Sequence, residues 1–187
     1  MTKTRKPTDL GDLAVDVRIA DADWRKRLPR AAATCRRAMT AAWQAADTPF
    51  ARKLGGRDAE VSVLLAGDDE VARLNVQYRG KKGPTNVLSF PGIDTAELKT
   101  LPAGQPVPLG DVVIALGVTM READEQAVTL ADHFRHLAVH GMLHLLGYDH
   151  IEDGDASVME NLETSVLAGL GVVAPYARAD AARVMRG

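Results

Sequence analysis

The 187-residue sequence contains a single cysteine, Cys35, and only 4% of its residues are aromatic. One thiol closes no internal disulfide and excludes every paired-cysteine zinc motif. A reducing, cytoplasmic location is therefore expected. No stretch approaches the ~20 consecutive apolar residues that span a bilayer, so no membrane partner is expected. The basic, polar start MTKTRKPT is followed by no apolar run, and no secretory signal is expected. Internal repeats and low-complexity tracts are also missing. With 46% hydrophobic and 26% charged residues, the composition is that of a globular protein, and the length fits one domain with a real core. That domain is expected over residues 11–172, between a tail at 1–10 and an extension at 173–187.

The formal net charge of −2 conceals an asymmetry. Residues 1–90 hold 17 Lys or Arg against 11 Asp or Glu, whereas residues 91–187 hold 6 against 14. A basic half joined to an acidic half is compatible with a polyanionic partner.

Alternation at Leu13, Val15, Val17 and Ile19 predicts a strand. Helical spacing of Leu28, Ala32, Cys35, Met39, Trp43 and Ala46 predicts a helix over 25–46, stopped by Thr48 and Pro49. Arg25, Lys26, Arg27, Arg30, Arg36 and Arg37 make its other face basic. Val61, Val63 and Leu65 suggest a second strand, and Asp68 and Asp69 the cap of a helix through Val71, Leu74 and Tyr78. Residues 80–84 (GKKGP) read as a loop. Residues 86–90 and 111–116 read as strands, joined by a Gly- and Pro-rich loop over 91–108. Helix resumes at Val118. Thr129 and Asp132 have capping-box spacing, which predicts a helix running to Leu146 and ending at Gly147. A last helix is expected over 153–170, with Met159, Leu162 and Val166 inward. Strands interleaved with helices predict a single α/β (or α+β) domain.

All five histidines lie between residues 133 and 150. His140 and His144, four apart on a predicted helix, share one face. Gly147 can take the left-handed conformation that turns the chain back, so that His150 closes a third position. His133 and His136 lie near the same face, but only His140, His144, Gly147 and His150 complete the pattern H-x3-H-x2-G-x2-H. His133 and His136 are expected at the surface or behind the ligands. Three neutral imidazoles would leave a cation its full charge and one open position, where water is acidified to a pKa of about 7. Zinc, one ion per chain, is the first expectation; nickel, copper or iron would also suit nitrogen ligands. The same spacing occurs in metzincin peptidases, but Gly141 stands where their general-base glutamate would be.

Two segments resemble the YbeY family of bacterial metal-dependent endoribonucleases, the rRNA maturation factors. One is His140–His150 (HGMLHLLGYDH). The other is Leu74–Arg79 (LNVQYR) followed by Pro84–Pro91 (PTNVLSFP). Residues 109–114 (LGDVVI) also fit the family's central strand. The resemblance implies a small mixed sheet flanked by helices, with the metal site at the end of a His-bearing helix. It implies zinc on His140, His144 and His150, and cleavage of single-stranded RNA. It further implies roles in 16S rRNA 3′-end maturation and ribosome quality control, with rRNA and the ribosome or its small subunit as partners. Arg79 matches the family arginine thought to bind the RNA phosphate. Asn86 stands where the family usually has Asp, replacing an acceptor-only carboxylate with an amide that can also donate.

Phosphodiester cleavage builds negative charge on non-bridging oxygens, which a Lewis-acidic metal and a guanidinium both stabilise. Arg25, Arg27, Arg30, Arg36 and Arg37, with Lys81 and Lys82, are the expected backbone track for RNA. With few aromatics for stacking, that binding is expected to be electrostatic and weakly sequence-selective. The general base is not evident; Asp111 and Asp149 are candidates for orienting imidazoles or water. The rival readings are a non-catalytic ribosome assembly factor with a structural metal and, disfavoured by Gly141, a metallopeptidase.

Overall fold

The computed structural model describes residues 10–148 and 153–172, with the backbone alone at 153–155. The tail before residue 10, the extension after 172, Asp149 and His150 lie outside the described residues.

Among the described residues, four strands form one mixed sheet in the order β1-β2-β4-β3. Strands β1 (Leu13–Ile19), β2 (Ala59–Ala66) and β4 (Val107–Ala115) run parallel, and β3 (Val87–Pro91) pairs antiparallel to β4 at the other edge. The alternation in β2 puts Val61, Val63 and Leu65 into the main core and leaves Glu60 and Ser62 exposed. On that core face lie α2 (Ala31–Ala45), α7 (Leu130–Leu145) and α8 (Asp153–Gly169). The other face is covered in part by α4 (Asp68–Arg79) and α6 (Leu116–Glu125), which bury a smaller cluster of Ala66, Val71, Leu88, Val113, Ala115 and Val118. Helix α7 is the central one: Phe134, Leu137, Ala138, Met142, Leu143 and Leu145 are all buried. It packs on α2, α6, α8, β3 and β4.

The sequence predicts one helix over 25–46, but the chain forms two, α1 (Asp23–Arg27) and α2. Pro29 falls in the break, where a residue lacking an N–H and clashing with the preceding turn interrupts a helix. Thr48 and Pro49 do more than stop α2. Thr48 caps α3 (Pro49–Leu54) by accepting from the Ala51 N–H, with Pro49 in the first turn. Asp68 is not the cap of α4, which falls at Gly67. Its carboxylate instead accepts from the Val118 N–H at the start of α6 and from Arg121. Within the stretch 91–108, read as loop, Asp94 and Glu97 form a capping box for a short helix, α5 (Thr95–Leu98). Strand β4 also begins earlier, at Val107.

Candidate metal centre and cleft

The site lies at the C-terminal end of α7, against β3. There α7 comes so close to the sheet that Ser89 Oγ donates to the Gly141 carbonyl at 3.2 Å. A Cβ at residue 141 would sit 2.9 Å from Val112 Cγ1 and 3.3 Å from Val87 Cγ2. Position 141 therefore faces the sheet. Glycine there is a packing requirement, and a glutamate would point into the core rather than at a substrate.

His140 and His144 stack edge to face with their Nε2 atoms 3.0 Å apart. What holds the far side of each ring decides the chemistry. His140 Nδ1 lies 2.6 Å from Glu163 Oε1. His144 Nδ1 lies 3.1 Å from the carbonyl oxygen of Tyr148. An ionised carboxylate and a carbonyl only accept, so each Nδ1 carries a proton and the two Nε2 atoms face each other. Two imidazole nitrogens at that separation need a proton or a cation between them. The donor set thus fits a divalent ion, with carboxylate and carbonyl partners fixing the tautomers from behind.

Glu163 is almost wholly inaccessible, at 1% side-chain exposure. Its other oxygen lies 3.3 Å from His136 Nε2. Burial pushes this carboxyl up, yet the hydrogen bonds and charges of His136 and His140 outweigh burial and hold its pKa at about 2. His136, His140 and Glu163 bring one ligand atom each within 4.8 Å of one another, a group that could itself hold a metal ion. The 2.6 Å contact is a charge-assisted hydrogen bond, shorter than the spacing of two ligands on one ion. Glu163 therefore serves His140 as a proton acceptor.

Of the two positions expected for His133 and His136, the surface one does not hold: both are largely buried, and His136 shares Glu163 with His140. His133 Nε2 pairs with Glu122 at 2.7 Å, and burial lowers its pKa more than that carboxylate raises it. Asp111 does not line this cleft; it lines a groove formed with Tyr78 and Phe90. Glu163, which holds His140, is absent from the sequence-based candidates. Its signal is a charge four residues after Met159 and three before Val166 on the buried stripe of a helix, where a carboxylate needs a partner.

The cleft has a volume of about 620 Å³ and is lined by Arg79, Asn86, Ser89, His140, His144 and Tyr148 among others. Arg79 reaches it as the last residue of α4, which ends at Gly80 in the left-handed region (φ 64°). Asn75 Nδ2 donates to the Gly83 carbonyl and ties the following loop back to the helix. Lys81 and Lys82 are exposed on that loop, beside the cleft lining and not part of it. The Asn86 amide nitrogen donates to both oxygens of Glu122, at 3.0 and 3.1 Å, while its oxygen accepts from the Val87 N–H.

The α1–α2 arginines stand elsewhere. Arg25 and Arg27 are exposed on α1, and Arg30 and Arg37 line a small pocket with Arg135. Arg36 donates to the Val15 carbonyl on edge strand β1. None of them lines the cleft. Among the described residues, no helix is long and apolar enough to cross a membrane.

A family model described as endoribonuclease YbeY matches residues 18–171. An endoribonuclease YbeY of Paramagnetospirillum magneticum is 46% identical over 165 residues, covering 88% of this chain and 95% of the relative. Another, of Rhizorhabdus wittichii, is 52% identical over 143 residues, covering 75% and 83%. A solution structure of a Thermotoga maritima protein shares the fold, with a TM-score of 0.50 at 23% identity, over 82% of this chain and 86% of the other.

Proposed function

Because this chain belongs to the endoribonuclease YbeY family, we propose that it is a metal-dependent endoribonuclease that cuts single-stranded RNA in the cleft between α7 and β3. The observation that carries this reading is the pair of Nε2 atoms 3.0 Å apart in a cleft that also holds Arg79. His140 and His144 are the proposed ligands, with His150 as the third. When bound, a divalent ion supplies Lewis acidity towards a phosphoryl oxygen and lowers the pKa of water; zinc is the expected ion.

The chain's own residues do the rest. Glu163 and the Tyr148 carbonyl keep the protons of both imidazoles on Nδ1. Arg79 is placed to bind the non-bridging oxygens of the scissile phosphate, where its planar fork matches two oxygens at once. Ser89 commits its hydroxyl proton to the Gly141 carbonyl, and Asn86 commits its amide to Glu122, so both shape the cleft wall. Lys81, Lys82 and the α1–α2 arginines Arg25, Arg27, Arg30, Arg36 and Arg37 are proposed as more distant contacts to RNA backbone. The biological substrate proposed is the 3′ end of 16S rRNA, met on the small ribosomal subunit in the cytoplasm, with a role in ribosome quality control.

The test is metal analysis of the purified protein coupled to cleavage of a labelled single-stranded RNA. Cleavage should stop with a chelator and return with added zinc or another transition metal. Metal-free protein that cleaves at the full rate would overturn the proposal.

A further inference from the structure

On the side of β3 away from the metal centre lies a second concavity. Along β3, Ser89 faces the cleft and Phe90 faces this groove; at the end of α4, Arg79 lines the cleft and Tyr78 the groove. The two spaces lie on opposite faces of the sheet, and an RNA strand reaching both would pass around β3, which is an edge strand.

The groove has a volume of about 570 Å³. Its floor is the part of the sheet that α4 leaves uncovered. Asp16, Ser62 and Asp111 are register partners on β1, β2 and β4, so their side chains form one row of oxygen acceptors across three strands. Leu74, Tyr78 and Phe90 contribute to the wall. The rings of Tyr78 and Phe90 lie 5.1 Å apart, tilted by 60°. Tyr78 is nevertheless 61% exposed, so Phe90 steadies one side of a ring whose remaining surface faces solvent.

An exposed ring above a row of acceptors suits one kind of ligand. A nucleobase stacks on aromatic faces whatever its identity. Carboxylates accept from exocyclic amino groups, as in pairing with cytosine N4, and repel phosphates. The backbone would then stay at the rim, where Arg79 stands on the cleft side and Arg18 on the β1 side.

We propose that this groove is a nucleobase subsite: it takes an unpaired, amino-bearing base of the same RNA strand whose phosphate sits at Arg79. The assignment rests on the endoribonuclease reading given above. It adds a base preference that the scarcity of aromatics in the sequence does not suggest, with cytosine or adenine favoured over uracil.

The experiment uses the metal-loaded, full-length protein and fluorescein-labelled 2′-O-methyl hexanucleotides of cytidine and of uridine. Affinity is read by anisotropy, with probe integrity checked on a gel, and cleavage of unmodified RNA is measured in parallel. The cytidine probe should bind more tightly than the uridine probe. Tyr78→Ala should weaken cytidine binding roughly tenfold and raise KM more than it lowers kcat, and Tyr78→Phe should restore both. Asp111→Ala, at an exposed position, should shrink the ratio between the two probes. Equal binding of both probes by the unaltered protein, or cytidine binding indifferent to Tyr78→Ala, would overturn the subsite. A groove that instead holds a cationic peptide, with RNA binding indifferent to Tyr78, would overturn it too. If the unaltered protein cleaves no RNA at all, the endoribonuclease reading fails; if it cleaves and only the Tyr78 effects are missing, the subsite alone fails.

Discussion

Glu163 accepts a hydrogen bond from His140 Nδ1 at 2.6 Å, across the interface between α8 and α7. This contact decides which nitrogen of His140 faces His144 and the cleft, and so links the packing of the last helix to the chemistry of the cleft.

Replacing that acceptor should loosen metal before it affects folding. Glu163→Gln keeps an oxygen for His140 but turns an amide N–H₂ towards the other histidine, His136. Metal affinity should fall by about 10- to 100-fold, the usual cost of losing a partner behind a ligand. Competition with a chromophoric chelator measures it. His144→Ala sets the limit and should lose bound metal and cleavage together. Unchanged affinity in Glu163→Gln would remove the tautomer role.

Acid should expose the same carboxyl. Its pKa is depressed from 4.5 to about 2 in the folded chain. A depressed carboxyl stabilises the fold fully above its ordinary value, and that contribution is lost as pH falls towards the folded value. Melting temperature should therefore drop between pH 4.5 and about 2, and more steeply than in Glu163→Gln. Parallel slopes for the two proteins would show that other groups govern acid unfolding.

Arg79→Ala should retain metal and cleave poorly. The residue is exposed at a helix end, so its loss costs little stability. Catalytic efficiency should fall by about 100-fold, or about 2.7 kcal/mol, as expected for a lost charge-assisted contact to a phosphoryl group. Steady-state cleavage of a labelled RNA measures it, and normal turnover would rule out a phosphate-binding role.

Gly141→Ala should destabilise the fold by about 1–3 kcal/mol, because the new methyl meets the stiff, buried Val112 at 2.9 Å. Thermal unfolding with and without metal would show it. A fully stable variant would mean that α7 can move away from β4 at little cost.

Asn86→Asp should convert a hydrogen bond into a clash of charges. The amide nitrogen that holds both Glu122 oxygens at 3.0 and 3.1 Å would be replaced by a carboxylate oxygen. Like charges raise the pKa of the pair in the folded state, so stability is full below the unfolded values and lost as pH rises through the folded ones. The variant should melt well below the parent at pH 7, with the gap narrowing towards pH 4; calorimetry at both values tests the sign.

Much of the architecture is legible in the sequence because periodicity reports burial. Val61, Val63 and Leu65 alternate and form a strand as read, and Met39 and Trp43 keep helical spacing and lie on a helix, though the stretch 25–46 breaks at Pro29. What escapes depends on contacts distant in sequence. Asp68 looks like a cap from its neighbours alone, but the α6 backbone fifty residues on claims it. The pair His140 and His144 stands out because a helix brings residues four apart together. Glu163 does not, because only the packing of α8 on α7 puts it beside them. Tyr78 reads on the apolar side of α4, yet the sheet beneath it is uncovered and its ring stays in solvent. His150, the third expected ligand, lies outside the described residues.

The turn after α7 is held from far upstream: Thr48 Oγ1 donates to the Leu146 carbonyl at 2.6 Å, and the Asp47 N–H donates to the Tyr148 hydroxyl at 2.9 Å. Those partners are 98 and 101 positions apart along the chain. Helix formation pairs the two imidazoles locally and early, whereas a tie of that length closes only with long-range assembly. The turn carries the Tyr148 carbonyl that orients His144, so the ring acquires its final alignment late. Affinity for the ion should then track global folding, and a lesion at Thr48, remote in sequence from every histidine, should present itself as a defect in metal retention.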